Sequence, residues 1–292
     1  MLEFEIDRHG LPWSKHAYLL LNAINAPDLR RKICEWEVSE ASTMLFLQTR
    51  FSGLLDCSPA LIQIDGPHDP MLAHFLAHAR DEWGLLLFSN VDRKTLIHHL
   101  RWLMFVDQPS GRSCYLNLSD PPVANALFGL DDADHRLFGP IDQLHAADKT
   151  TKRWHAHSRR GEAVPPAFTV PYRLSTEQID ALRNVAFRQV VINLDRHLLR
   201  FFPGYLPDAP LKSRHEQVLA LANTAYDNGF KSEADVFHYA NVMGFLATQP
   251  DDSHPDIRAL LSNTSALPPS QRIEQANWLV VQRTREQEEG AQ

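Results

Sequence analysis

The sequence predicts an α+β protein: an α/β-like N-terminal domain built on a mixed sheet, followed by an all-α helical lobe. Three observations carry this. Residues 83–127 change hydrophobic period four times, and each change falls at a start or stop signal. Short unbroken apolar runs such as LLLF at 85–88 suit strands covered on both faces. Beyond Tyr172, every periodic stretch has helical spacing.

The elements follow in order. Residues 18–22 (YLLLN) read as the first strand, and Pro27 opens a helix reaching about Glu37. Residues 44–47 are extended, a turn of helix lies near 51–55, and LIQI at 61–64 is a further buried strand. Asp69 and Pro70 form a cap and first-turn proline, with Met71, Leu72, Phe75, Leu76 and Ala79 as the inward stripe. After the strand at 85–88, Asp92 caps a helix in which Leu96, Ile97, Leu100 and Met104 recur at helical spacing. Extended character returns at 103–106, QPSG at 108–111 turns the chain, and 114–119 pairs back. Asp120 is expected to cap the next helix, with Pro121 in its first position and Gly129 near its end. Residues 137–141 and 153–157 read as the two arms of a polar hairpin at the sheet edge.

Residues 161–172 (GEAVPPAFTVPY) hold three prolines and no period, which places a domain boundary there: 1–162 for the mixed domain, 163–292 for the helical lobe. Ser175 and Gln178 form a capping box for a long amphipathic helix marked by Ile179, Leu182, Ala186, Val190, Leu194 and Leu198. A second helix runs from about Lys212 to the stop signal Asn228-Gly229. Ser232 starts a third, with Val236, Phe237, Ala240 and Met243 inward. A fourth lies near 255–261, and Pro269 opens the last. Trp83, Trp102 and Trp278 sit among apolar residues and are expected in the core.

Composition narrows the function classes. A formal charge of −7, from 29 basic and 36 acidic side chains, argues against a general nucleic-acid binder. The three cysteines, Cys34, Cys57 and Cys114, are far apart and odd in number, and read as apolar fillers in a reducing compartment. The N-terminal MLEFEIDRHG lacks the features of a signal peptide, and no apolar run approaches a membrane span. A cytoplasmic protein without membrane insertion is the expectation.

Several pieces occur in a telling order: YLLLNA from Tyr18, SPALIQID from Ser58, WGLLLFSN from Trp83, HHLRWLMFV from His98, a Pro/Gly turn, the Asp-Pro helix start at Asp120, and LFGPI from Leu137. In this order they resemble the adaptors, also called effector chaperones, of the bacterial type VI secretion system, many long known only as a domain of unknown function. The resemblance spans about Tyr18 to Ile141, and NGFKSEADVFHYANVMGF from Asn228 is similar to the helical lobe often attached in that family. Where relatives carry arginine and aromatic residues around the Asp-Pro pair, this chain has Asn117, Leu118, Ser119 and Pro122. The resemblance implies a non-enzymatic role without cofactors. Such a protein binds a cognate toxic effector in the producing cell and helps load it onto the VgrG spike protein.

Residue chemistry leaves rivals. His74 and His78 stand four apart on one predicted helix, and with Asp65 upstream they define a metal-dependent hydrolase reading. No glutamate completes an HExxH pattern, and a solvated polar flank is the plainer reading. His155 and His157 share a strand face without a third ligand at a telling spacing. Nucleophile elbow, P-loop and dinucleotide motifs are missing, and Asp65, Asp69, Asp92 and Asp120 stand where carboxylates cap helices or end strands. KTTKRWHAHSRR at 149–160 is the one basic cluster, and Arg153, Trp154, Arg159 and Arg160 there are candidate partner contacts; RNA contact is the weaker alternative. Phe201, Phe202, Tyr205 and Leu206 follow the long helix as candidate aromatic and apolar anchors for a client, or as a seal of the lobe joint.

Overall fold

The computed structural model describes residues 4–131, 134–162, 168–205, 211–250, 253–262 and 266–290. The largest sheet comprises β1 (His16–Leu21), β2 (Ser42–Met44), β3 (Ala60–Ile64), β4 (Gly84–Ser89), β7 (Ile141–Asp148) and β8 (Arg153–Ser158), in the order β2-β3-β1-β4-β7-β8. Every pairing in it is antiparallel. Its central strands are nonetheless apolar throughout, because both faces are covered. Tyr18, Leu20, Leu85, Leu87 and Leu144 point to one core with α3 (Arg93–Leu103) and α4 (Pro121–Phe128). Leu19, Leu21, Ile62, Leu86 and Phe88 point to the other, with α1 (Leu29–Glu35) and α2 (Pro70–Ala77). Burying each such leucine contributes about 2 kcal/mol, so the sheet centre is where much of the stability resides.

Local chemistry sets the element ends. The Asp69 carboxylate accepts from the Met71 N–H and Asp92 accepts from Thr95, as expected of caps. Asp120 does not cap α4 through its side chain; its Oδ1 instead accepts from Asn25 at 3.4 Å. Gly84 opens β4 because the strand packs tightly on β1: a Cβ there would lie 2.0 Å from the Leu20 carbonyl oxygen.

A second, three-stranded sheet runs β6-β5-β9, with β5 (Phe105–Asp107) antiparallel to β6 (Ser113–Tyr115) and parallel to β9 (Tyr172–Arg173). The return strand is thus shorter than 114–119 suggested. It ends at Tyr115: the Leu116 N–H still reaches the Met104 carbonyl, and beyond it Leu116 and Leu118 turn their side chains into the core. Leu103, expected to be extended, closes α3. The hairpin at 137–157 is corrected likewise. Leu137 and Phe138 form the end of a short helix, α5 (His135–Phe138), and the first arm is β7, with β8 at the sheet edge as expected.

Contacts group the chain into two compact units, residues 1–185 and 186–292. The expected boundary at 162/163 adjoins residues 163–167, which lie outside the described residues. Helix α6 (Thr176–Phe201) opens with the predicted capping box, Ser175 N–H to Gln178 Oε1 and Gln178 N–H to Ser175 Oγ. Ile179 and Leu182 pack on the first unit's core. In the second unit Val191, Leu194 and Leu198 meet α7 (Leu211–Asp227), α8 (Glu233–Leu246), α9 (Pro255–Leu261) and α10 (Pro269–Gly290) around Phe230 and Val236. Ser232 and Asp235 form a capping box at the start of α8. No described helix is long and apolar enough to cross a membrane. Trp83 is buried and Trp102 half-buried, but Trp278 is 59% exposed, against expectation. It lies on the outward face of α10, opposite the inward stripe of Ile273, Ala276 and Val280.

Candidate partner-binding surfaces

The basic segment lies on the β7–β8 hairpin, and much of its charge is neutralised within the fold. The Lys149 ammonium pairs with the buried Glu82 carboxylate at 3.0 Å, and the Lys149 N–H donates to the same carboxylate. Arg159 is held by Asp142 and donates to the Gly161 carbonyl at 2.8 Å, while Lys15 approaches the other Asp142 oxygen at 2.9 Å. Arg160 is exposed and donates to the Asp131 carbonyl at 3.1 Å. Arg153 starts β8, exposed, in register with Asp148. Trp154 is half-buried against the core on the opposite sheet face, 5.6 Å from the Phe75 ring, and its indole N–H donates to the Phe4 carbonyl. Phosphate binding across this segment would have to compete with the Lys149 and Arg159 ion pairs.

The aromatic end of α6 divides by role. Phe201 is 55% exposed, against the His197 ring at 4.8 Å and beneath the Arg200 guanidinium at 5.0 Å. Phe202 packs on the second core, where its ring fills the space a side chain at Gly244 would take, 2.6 Å from an added Cβ. Tyr205 is half-buried there too, which raises its phenol pKa. Leu206 lies outside the described residues.

The histidines are more enclosed than a solvated flank implies. His74 and His78 are half-buried in an aromatic group: His78 stacks on Trp83 at 3.6 Å, and His74 meets Trp36 and Trp83 edge-on. Burial first, then His78 and Lys32, lowers the His74 pKa. Asp65 is not brought to them. It lines a cleft of about 810 Å³ with Asp69, Asp92 and Arg93, and its N–H donates to Asp69. Among the described residues no three His, Cys, Asp or Glu side chains are grouped to hold a metal ion. His155 lies 3.7 Å from Asp148. His157 Nε2 meets Asn125 Oδ1 at 2.9 Å, and burial lowers its pKa to about 4.

A further surface was not singled out by sequence reading. Phe51 and Phe105 stack at 4.9 Å, Arg50 lies over Phe105 at 3.6 Å, and Tyr115 abuts both rings. These residues come from a 3-10 turn, β5 and β6. Only the pairing of β5 with β6 and the docking of residues 46–57 on them brings the rings together, so no spacing signal announces the group.

Comparison with known proteins agrees with the motif order. Residues 17–136 match the family described as domain of unknown function DUF4123. The chain is also similar to the accessory protein VasW of Vibrio cholerae serotype O1, at 27% identity over 293 residues covering 98% of this chain and 93% of VasW. No solved structure matches the chain. The match to this family and the similarity to VasW support the resemblance to type VI secretion adaptors that the ordered N-terminal motifs carry.

Proposed function

We propose that this chain is a non-catalytic adaptor of type VI secretion, which binds a cognate toxic effector in the cytoplasm of the producing cell and helps load it onto the VgrG spike. The observation that carries this reading is the extent of the similarity to VasW: it runs through both units, so the chain corresponds to an accessory protein as a whole. The acidic and histidine side chains weighed for a reaction centre support it from another side. Asp69 and Asp92 cap helices, His78 stacks on an indole, and Asp65 stands apart from both histidines. Exposed Arg153, Arg160 and Phe201 are the members of the candidate set best placed to meet a partner.

The test is co-purification with the effector encoded beside this protein, together with killing assays on a strain deleted for it. The expected result is a stable complex and loss of that effector's delivery alone. An effector that stays soluble, loaded and toxic to rivals without this protein overturns the proposal.

A further inference from the structure

The geometry points to β6 as an open docking edge for an extended, acidic segment of a partner protein, which adds as a strand beside Ser113–Tyr115. This deepens the adaptor reading and rests on it.

The first observation is the strand edge. β6 is the outermost strand of the three-stranded sheet. Toward β5, Gln108 N–H donates to Arg112 and Leu116 N–H donates to Met104. By antiparallel alternation the N–H and C=O groups of Ser113 and Tyr115 therefore point away from β5, and no described strand pairs with that side. Ser113 and Tyr115 are both exposed. An unpaired edge of this kind is a template for an added strand.

The second observation is what flanks the edge. Tyr115 (41% exposed) and Phe105 share the outer face of the sheet, continued by Phe51. Arg50 lies over this group, and Arg50 and Arg112 have no carboxylate partner among the described residues. Asp107, the acid on the same face, already accepts from the Ser113 hydroxyl. Aromatic rings with a stacked arginine are the composition of an interface centre, and two uncompensated guanidiniums select carboxylates. By contrast, β8 at the edge of the large sheet is met at its start by Phe4, and Lys149 and Arg159 nearby are already paired. That difference favours β6.

The probes are a capped hexapeptide alternating valine with glutamate and its valine–lysine counterpart, titrated onto the full chain by fluorescence anisotropy. The glutamate peptide is expected to bind at least about tenfold more tightly, and to slow hydrogen exchange at the Ser113 and Tyr115 amides. Ser113→Pro removes an outward N–H without touching the β5 ladder and should abolish binding, whereas Ser113→Ala, which keeps it, should not. Arg50→Glu should reverse the charge preference. Equal binding of both peptides, no binding of either, or wild-type binding by Ser113→Pro overturns the proposal. Effector co-purification separates the two readings. A wild-type chain that captures no effector removes the adaptor role, whereas capture by Ser113→Pro at the wild-type level removes only the β6 site.

Discussion

His99 ties the stability of the first unit to pH. Its ring is fully buried, with Nε2–H donating to the Leu137 carbonyl at 3.0 Å and Nδ1 unpartnered among the described residues. Burial lowers its pKa from 6.5 to about 4, against the opposing pull of the Leu137 carbonyl. The folded chain therefore holds His99 neutral where the unfolded chain is protonated. The stability this contributes is present above pH 6.5 and is lost as pH falls toward 4. His99 alone should remove on the order of 2 kcal/mol between pH 7 and pH 5, with His145 and His157 acting in the same direction. Urea midpoints should fall across that window, and the His99 imidazole should show no titration above pH 5 by NMR; a flat profile contradicts the assignment. Single positions were unevenly legible in the sequence. Asp69 and Asp92 read as caps because the partner N–H lies two or three residues away. Trp278 misread as core because an apolar neighbourhood along the chain does not say which side of α10 faces inward.

At the scale of elements, the β7–β8 hairpin shows why a charged run need not be a binding surface. Arg159 and Asp142 are both nearly buried and held together, and Lys15 completes the group. Replacing one member strands the others in a poorly solvated place. Arg159→Ala should therefore lower stability by about 3 kcal/mol in chemical denaturation, even with no partner present. A change below about 0.5 kcal/mol would return Arg159 to the surface set. The hairpin also marks where pattern reading slips. The arm 141–148 alternates weakly, because His145 and Gln143 share it with Leu144 and Ala146, whereas the apolar pair Leu137-Phe138 mimics a strand while closing a helical turn. The helices from α6 onward were easier to place, since Ser175, Ser232 and Gly229 announce their ends through local backbone chemistry.

For the whole molecule, two units with separate cores imply two separable responses to mutation. Phe230→Ala should cost the second unit about 3 to 5 kcal/mol, and Leu86→Ala should cost the first about 2 to 5. Five of the six tryptophans lie in the first unit, and the sixth, Trp278, is already exposed. Tryptophan emission should therefore follow the first unit, while far-ultraviolet helical dichroism follows mainly the second. Coincident loss of both signals in the Phe230→Ala protein would show a single cooperative unit instead. From the sequence alone came the α+β class, the helical C-terminal half, the main caps and the family resemblance, because each depends on residues near one another or on motif order. Tertiary structure decided the antiparallel pairing of the large sheet, the enclosure of the histidines, the neutralisation of the basic hairpin and the gathering of Arg50, Phe51, Phe105 and Tyr115. Those depend on which distant segments become neighbours, and a strand that is apolar on both faces carries no mark of the direction in which its partner runs.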